Sequence, residues 1–318
     1  MKCGRVPGVG LPVSRLVQGT MMIGTESLQE SFQLLDGVFS LGCNAFDTAH
    51  IYRGGDCERA LGQWIHARGI RDKVVVITKG AHFNADRQRV TPFDIASDLC
   101  DSLARLKTEY IDLYLLHRDN PTVPVGPIVE ALNEHLRAGR IRAFGGSNWT
   151  HERIEEADAY ATAHGLVPFA AASPHFSLAE QVVEPWPGCV SIAGAQGRPA
   201  RAWYAARGMP VFAWSSLSRG FLSGQYTREA IEAYPEDTEE LFVRCYRSKA
   251  NLDRLERAFH LAEKKGCTVP EIALAYVFAH AIDVFALVGC VSVEEFRANA
   301  CALDVPLPLE EQTWLDGQ

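Results

Sequence analysis

Eight short and almost continuously apolar runs recur along this chain, and they restrict its possible folds more than any other feature. They lie at residues 14–19, 43–48, 73–78, 111–117, 141–147, 167–173, 209–214 and 283–289. A strand that is apolar on both faces has to be covered on both faces, which is typical of a parallel sheet with helices on either side. The runs therefore predict an α/β protein built on a parallel sheet.

The segments between these runs have helical character. The clearest of them are residues 27–42, 91–107, 126–139 and 150–165. In the second, Thr91 is suited to the N-cap and Pro92 to the first helical position. Strands and helices thus alternate along the chain.

About eight strand–helix units in 318 residues fit a closed (β/α)8 TIM barrel that occupies residues 1–318 as a single domain. No G-x-G-x-x-G motif opens a helix after an early strand, which argues against a Rossmann domain. Residues 177–200 and 218–244 are too long for tight barrel connections. We expect both to be long loops at the C-terminal rim, where the active sites of such barrels lie.

Composition excludes several classes of partner. The formal net charge is −8, without a basic run, so we expect no nucleic-acid and no membrane partner. Nine cysteines without C-x-x-C spacing, and no apolar run near the ~18 residues of a membrane span, favour a reduced, cytoplasmic protein. No HExxH or similar histidine cluster argues for a metal. The oligomeric state cannot be read from the chain.

Four polar residues fall at the ends of three successive predicted strands. Asp47 and Tyr52 follow the second strand, Lys79 ends the third, and His117 ends the fourth. A phenol with a pKa near 10 is a poor acid at neutral pH, and a nearby ammonium lowers that value by about 1–3 units. Asp47 would hold Lys79 charged, Tyr52 would titrate, and His117 would hydrogen-bond a substrate oxygen. The set predicts an acid for carbonyl reduction.

These residues also carry a family resemblance. The stretches "GCNAFDTAHIYRGGDCERALGQW", "ITKG", "IDLYLLHRDN" and "GGSNWT" resemble the aldo-keto reductases, which are NAD(P)H-dependent oxidoreductases with a (β/α)8 barrel. The resemblance runs in order from about residue 11 to about residue 303. It implies that Asp47, Tyr52, Lys79 and His117 form the catalytic tetrad.

The resemblance also implies an extended nicotinamide cofactor across the rim. Ser147 and Asn148 would bind its carboxamide, Trp214 would stack on the nicotinamide ring, and Gly19, Thr20 and Asp47 lie near its path. Ser215, Leu217 and Arg219 would follow the phosphates. Further cofactor positions are Ser173, Gly289, Val291, Glu295 and Asn299.

Four positions depart from the family pattern. Ser173 stands where glutamine is usual, and Phe176 where tyrosine is common. Val291 and Glu295 stand where basic residues often bind a 2′-phosphate, and a glutamate would repel that group. The sequence therefore leaves both NAD(H) and NADP(H) open and leans slightly towards NAD(H), with Arg219 and Arg297 as possible phosphate ligands.

The substrate is expected to be a small carbonyl or alcohol. Its predicted contacts are Met21, Tyr52, His82, Phe83, His117, Trp149, Phe176 and Trp186. The 177–200 loop, which contains Trp186, either covers the substrate or packs beneath its neighbours. Two other functions stay open: a cofactor-sensing regulatory subunit like the β subunits of potassium channels, and a barrel enzyme with other chemistry.

Overall fold

In the computed structural model, which describes residues 1–317, eight parallel strands close into a barrel surrounded by helices. The predicted (β/α)8 fold is confirmed. The barrel strands are β3 (Leu16–Gly19), β4 (Ala45–Asp47), β5 (Val75–Gly80), β6 (Ile111–Leu116), β7 (Ile141–Ser147), β8 (Ala171–Ser173), β9 (Val211–Ala213) and β10 (Val284–Val288). Strands β10 and β3 pair in parallel and close the ring.

Side-chain alternation along the strands explains why the apolar runs are nearly continuous. On β6, Leu113 and Leu115 belong to the core inside the barrel, whereas Tyr114 and Leu116 pack outward with the helices. Both sets are fully buried. Each strand is therefore apolar on both faces, as a sheet between a filled interior and a helical layer requires.

Within residues 1–317, twelve α-helices surround or follow the strands. They are α1 (Leu28–Ser40), α2 (Asp56–Arg68), α3 (Pro92–Leu106), α4 (Val125–Arg137), α5 (His151–Ala163), α6 (Arg198–Arg207), α7 (Arg228–Glu232), α8 (Leu241–Arg244), α9 (Lys249–Lys265), α10 (Val269–Ala279), α11 (Val293–Ala300) and α12 (Leu309–Asp316). The predicted start of α3 is confirmed, because the Thr91 hydroxyl accepts a hydrogen bond from the Asp94 N–H and Pro92 takes the first helical position.

A small hairpin precedes the barrel. Strands β1 (Cys3–Gly4) and β2 (Val13–Ser14) pair antiparallel. Val6, Val9 and Val13 join the interior core of the barrel. The first predicted run, 14–19, is thus divided between this hairpin and β3.

The two long segments lie where the strands β8 and β9 end. Residues 177–200 are mostly turns that lead into α6, and residues 218–244 contain α7 and α8. Among residues 1–317, no helix is both long enough and apolar enough to cross a membrane.

Candidate active site

The buried Lys79 contacts two of the three other predicted catalytic residues. The Lys79 ammonium donates hydrogen bonds to Asp47 Oδ2 at 2.7 Å and to the Thr48 carbonyl at 2.9 Å. The Tyr52 hydroxyl lies 3.3 Å from the same nitrogen. The side chains of Lys79 and Asp47 are only 3% and 5% exposed, so this ion pair is shielded from water.

The loop after β4 is fixed by the neighbouring strand. The backbone N–H groups of Thr48 and His50 donate to carbonyls of β5, at 2.8 Å in both cases. A short 3-10 turn then begins at Tyr52, whose N–H donates to the Ala49 carbonyl at 3.0 Å. The hydroxyl of Tyr52 is therefore held at the lysine by the backbone pairing of β4 with β5.

Burial and the ion pair act in opposite directions on these groups. Burial by itself would lower the pKa of Lys79, but the Asp47 carboxylate and Tyr52 raise it above its ordinary value. Burial raises the pKa of the Asp47 carboxyl, and Lys79 offsets part of that rise. Lys79 is consequently an ammonium ion throughout the neutral range.

The expected net fall in the pKa of Tyr52 is wrong for this structure. Burial of the phenol raises its pKa, and the opposing effect of the Lys79 ammonium is smaller. Lys79 acts in the predicted direction, but desolvation outweighs it because the hydroxyl sits at the floor of a cavity. Tyr52 is thus protonated at neutral pH.

His117 lies beside Tyr52. The two rings meet edge to face with centroids 5.7 Å apart, and the His82 ring lies 4.8 Å from that of His117. Burial, followed by the charges of Lys79 and Arg118, holds the pKa of His117 well below its ordinary value. The imidazole is therefore neutral, and within residues 1–317 its buried Nδ1 has no hydrogen-bond partner.

Left-handed backbone conformations cluster around this site. Five non-glycine residues there have φ between 51° and 61°, namely Ala81, Asn148, Ser215, Ser218 and Arg219. Such conformations cost about 1–3 kcal/mol each and persist only where the surroundings impose them. They let the chain turn sharply as it leaves the strands β5, β7 and β9.

One cavity of about 740 Å³ opens at the carboxyl ends of the strands. Most of the predicted site residues line it: Gly19, Thr20, Met21, Asp47, Tyr52, Lys79, His82, His117, Ser147, Asn148, Trp186, Trp214, Ser215, Leu217, Arg219, Gly289 and Glu295. The structure therefore brings together the tetrad, the aromatic positions at Trp186 and Trp214, and the segment predicted for the phosphates.

Three predicted substrate contacts lie elsewhere. Trp149 is 1% exposed, donates from Nε1 to the Arg118 carbonyl and packs on Phe169. Phe176 is fully buried, with its ring against His280. Phe83 is partly buried beside His82, outside the cavity lining. The prediction that these three rings line the pocket is wrong, because Trp149 and Phe176 are buried in the protein interior and Phe83 lies outside the lining.

Three predicted cofactor residues also stand outside the cavity lining. Ser173 is fully buried and its hydroxyl donates to the Phe212 carbonyl at 2.8 Å, so it does not reach a carboxamide in the cavity. Asn299 is buried on α11 and its amide contacts Cys290 Sγ. Val291 is 72% exposed just before α11. Its N–H donates to the Glu295 carboxylate at 2.9 Å, which holds Glu295 at the cavity wall.

The two residues predicted to bind a carboxamide already have partners. The Ser147 hydroxyl donates to the Ser173 carbonyl at 3.1 Å. Asn148 Nδ2 donates to the His117 carbonyl at 3.3 Å, and its Oδ1 accepts from the Val190 N–H at 3.1 Å. These contacts orient both side chains towards the cavity that they line.

A buried histidine supports the aromatic wall. The rings of His175 and Trp214 lie 5.0 Å apart. His175 Nδ1 contacts the Ser191 hydroxyl at 2.7 Å, while Nε2 lies 3.1 Å from the hydroxyls of Ser177 and Tyr246. Burial lowers the pKa of His175 to about 3, so it is neutral. One uncharged ring thus connects the 177–200 loop and Tyr246 to the wall at Trp214.

The sequence prediction missed several lining residues. The cavity also contacts Met22, Ile51, Arg118, Cys189, Ser216, Gly220, Ser223, Gln225, Tyr226, Phe242, Leu287 and Val288. Tyr226 and Phe242 stack on each other at 4.6 Å and come from the long 218–244 segment. The length of the 218–244 segment is visible in the sequence, and so is the position of Arg118 directly after His117. Either feature could have led to these lining residues.

Comparison with known proteins agrees with this geometry. Residues 15–317 match the model of the aldo/keto reductase family. The chain therefore belongs to the aldo/keto reductase family, and it is a nicotinamide-dependent oxidoreductase. The resemblance read from the sequence is confirmed.

Individual relatives extend along nearly the whole chain. Norsolorinic acid reductase of Emericella nidulans is 28% identical over 96% of this chain and 78% of its own length. The aryl-alcohol dehydrogenase [NADP(+)] of Phanerodontia chrysosporium is 27% identical over 98% of this chain and 83% of its own. Among solved structures, an aldo-keto reductase from Klebsiella pneumoniae in complex with NADPH superposes with a TM-score of 0.73 at 26% identity, covering 100% of this chain and 95% of its own.

Proposed function

We propose that this enzyme interconverts carbonyls and alcohols with Tyr52 as the group that gives or takes the proton. The observation that carries the proposal is the Lys79 ammonium, which lies 3.3 Å from the Tyr52 hydroxyl while paired with Asp47. The ammonium favours the phenolate that forms when Tyr52 donates its proton, and therefore lowers the cost of the transfer. In the oxidative direction the same hydroxyl would accept the proton of the alcohol.

The cavity fits a bound nicotinamide cofactor, which supplies or accepts the hydride. Trp214 offers a half-buried indole face whose Nε1 has no partner within residues 1–317. Ser147 and Asn148 line the same cavity as Trp214, and so do Ser215 and Glu295. We propose that these residues hold the cofactor together with Gly19 and Thr20, which line the same cavity.

We propose that His117 positions the reacting oxygen. A neutral imidazole beside Tyr52 donates a hydrogen bond without adding a second charge to the Lys79 ammonium. Two donors, from the segments that follow β4 and β6, would fix the carbonyl oxygen, so that the carbon faces the cofactor side of the cavity. The role of His117 is therefore orientation, whereas Tyr52 moves the proton.

Aromatic carbonyls and alcohols are the proposed substrate class. The outer cavity is lined by Ile51, Trp186, Tyr226 and Phe242, which suits a flat, apolar ring system. The names of two relatives, an aryl-alcohol dehydrogenase and a norsolorinic acid reductase, agree with aromatic substrates. Arg219 extends over the Trp186 ring at 4.9 Å, so the two long loops meet at this end of the cavity.

The assay for the proton role compares two tyrosine variants. Tyr52→Phe removes only the hydroxyl, and we expect turnover of benzaldehydes to fall by about 10²–10⁴-fold, with cofactor affinity nearly unchanged. Tyr160→Phe, whose hydroxyl contacts Glu130 on the surface, is the matched control and should keep wild-type turnover. Retained turnover in Tyr52→Phe would refute the assignment. Cofactor binding without turnover by the wild-type protein would instead favour a regulatory subunit.

Which dinucleotide binds better is a separate proposal. We propose that the Glu295 carboxylate at the cavity wall disfavours a 2′-phosphate, so that NADH binds more tightly than NADPH. The NADPH complex of the Klebsiella pneumoniae enzyme and the name of the aryl-alcohol dehydrogenase argue for the opposite preference. Titrations with both cofactors, followed by quenching of Trp214, give the answer. Glu295→Gln should strengthen NADPH binding, and tighter NADPH than NADH binding in the wild-type protein would overturn the proposal.

A further inference from the structure

Arg118 is a buried arginine on the wall of the catalytic cavity. It is 4% exposed and directly follows His117 at the end of β6. It lines the same cavity as Tyr52 and Trp186. It therefore lies in the same cavity as the predicted catalytic residues and contacts the 177–200 loop through the Pro187 carbonyl.

The contacts of this guanidinium are all with uncharged groups. Nη1 donates to the His117 carbonyl at 2.9 Å, Nε donates to the Pro187 carbonyl at 3.3 Å, and Nη2 lies 3.7 Å from Cys189 Sγ. Burial raises the pKa of the Cys189 thiol, which is therefore protonated at neutral pH and does not balance the charge. A guanidinium has five N–H donors, so two of them have no partner in these contacts.

Within residues 1–317, no carboxylate oxygen lies within 4 Å of Arg118. Other well-buried arginines in this protein differ: Arg254 is paired with Glu180, and Arg153 with Asp119. A buried charge is costly unless it is paired, so an arginine that lacks a counter-ion needs a reason to be there. The Asp47 carboxylate is not the partner of Arg118 either, because it accepts a hydrogen bond from Lys79 at 2.7 Å.

Within residues 1–317, the other groups near Arg118 provide no buried carboxylate that pairs with it. His117 and His82 both have a lowered pKa, chiefly through burial, and are neutral. Glu184 lies on the adjacent loop, but it is exposed and accepts from the Cys189 N–H at 3.2 Å. Arg118 is thus a buried cation without an ion-pair partner among residues 1–317, in a protein whose net charge is −8.

We propose that Arg118 binds an ionised carboxylate of the substrate, so that the enzyme prefers carbonyl or alcohol substrates that carry an acid group. A planar guanidinium with two free donors matches a carboxylate in charge and in shape. The bound acid would supply the missing counter-ion and would orient the carbonyl towards Tyr52 and His117. This inference rests on the proposed function, since it names the substrates of that site.

The test compares acids with their amides. Phenylglyoxylate, 3-formylbenzoate and 4-formylbenzoate place the carboxylate at increasing distances from the carbonyl, and each primary amide is its neutral counterpart. For at least one pair we expect the wild-type enzyme to favour the acid in kcat/KM. In Arg118→Gln this acid-to-amide ratio should fall by about 10- to 100-fold, as expected for loss of a charge-assisted bond. Arg118→Lys keeps the charge but not the planar guanidinium, so its acid-to-amide ratio should lie between those of the wild-type and Arg118→Gln enzymes.

The ratio separates recognition from indirect effects. Arg118 also lowers the pKa of Tyr52, so turnover of both members of a pair will change, but that common factor cancels. Arg244→Gln is the matched control, because Arg244 Nη2 donates to the Pro185 carbonyl of the same loop from outside the cavity lining. Loosening the loop through Arg244 should leave the acid-to-amide ratio at its wild-type value.

Binding provides a readout that does not depend on turnover. Benzoate and benzamide are titrated into the wild-type and Arg118→Gln enzymes with cofactor bound, and tryptophan fluorescence is followed. Tighter benzoate binding that disappears in Arg118→Gln supports the proposal even if no aldehyde is reduced, in which case the proposed function alone fails. Equal ratios in wild-type and Arg118→Gln enzymes for every pair, or an equal fall in Arg244→Gln, would overturn the inference.

Discussion

Removing the ammonium of Lys79 should destabilise the fold by a predictable amount. The Lys79→Met variant keeps the length of the side chain but leaves Asp47 buried without its partner. Asp47 Oδ2 loses its 2.7 Å bond, and within residues 1–317 Oδ1 has no partner to begin with. Breaking one side of a buried ion pair costs about 3–5 kcal/mol, and we expect the free energy of unfolding to fall by that amount at pH 7.5.

The double variant Asp47→Asn, Lys79→Met measures how much of this loss is electrostatic. It removes both charges and leaves two neutral side chains of similar size, so at least about half of the lost stability should return. Urea unfolding followed by tryptophan fluorescence gives the three free energies, and equal m-values would show that the same transition is measured. If the double variant is no more stable than Lys79→Met, the lost stability comes from packing and the reasoning is refuted.

The pH dependence of Lys79→Met supplies an independent check. Burial already raises the pKa of Asp47 in the wild-type protein, and loss of the lysine removes the charge that offsets it. The folded state of the variant therefore binds this proton more tightly than the unfolded state, whose carboxyl has a pKa near 3.9. The variant should regain stability relative to wild type as the pH falls through the folded-state pKa. A stability difference that is independent of pH would contradict this.

Two further variants test buried features of the barrel. Burial lowers the pKa of His175 to about 3, so through this group the free energy of unfolding should fall by about 1.4 kcal/mol per pH unit below about 6.5. In His175→Asn, urea unfolding should show a correspondingly shallower fall of this free energy with pH. Parallel pH profiles of the two proteins would contradict the prediction. Gly145→Ala should lower stability by about 3 kcal/mol in thermal unfolding, because its Cβ would lie 2.0 Å from the Ala171 carbonyl oxygen of the paired strand. Gly10→Ala, with no atom within 4 Å of the new Cβ, is the control, and an equal loss there would refute the packing argument.

The barrel and the catalytic group were predictable because both depend on local patterns repeated along the chain. Apolar runs on both strand faces require a covered parallel sheet, and eight of them close it. Asp47, Lys79 and His117 end consecutive strands or directly follow them, so closure necessarily brings them to one rim. Their contact with Tyr52 follows from a loop of only five residues after β4. Local sequence thus determined which groups meet.

Other features depend on directions and environments that arise only when the chain is folded. Trp149 and Phe176 lie just past strand ends, and the backbone turns there point both rings into the core rather than the cavity. Tyr226 reaches the cavity through a long segment whose path no local pattern predicts. The raised pKa of Tyr52 reflects the burial of its phenol. Among residues 1–317 no carboxylate pairs with Arg118, which depends on the groups that surround it in space. The linear order supplied the reacting groups, whereas three-dimensional packing decided their solvation, their orientation and the charge that the substrate meets.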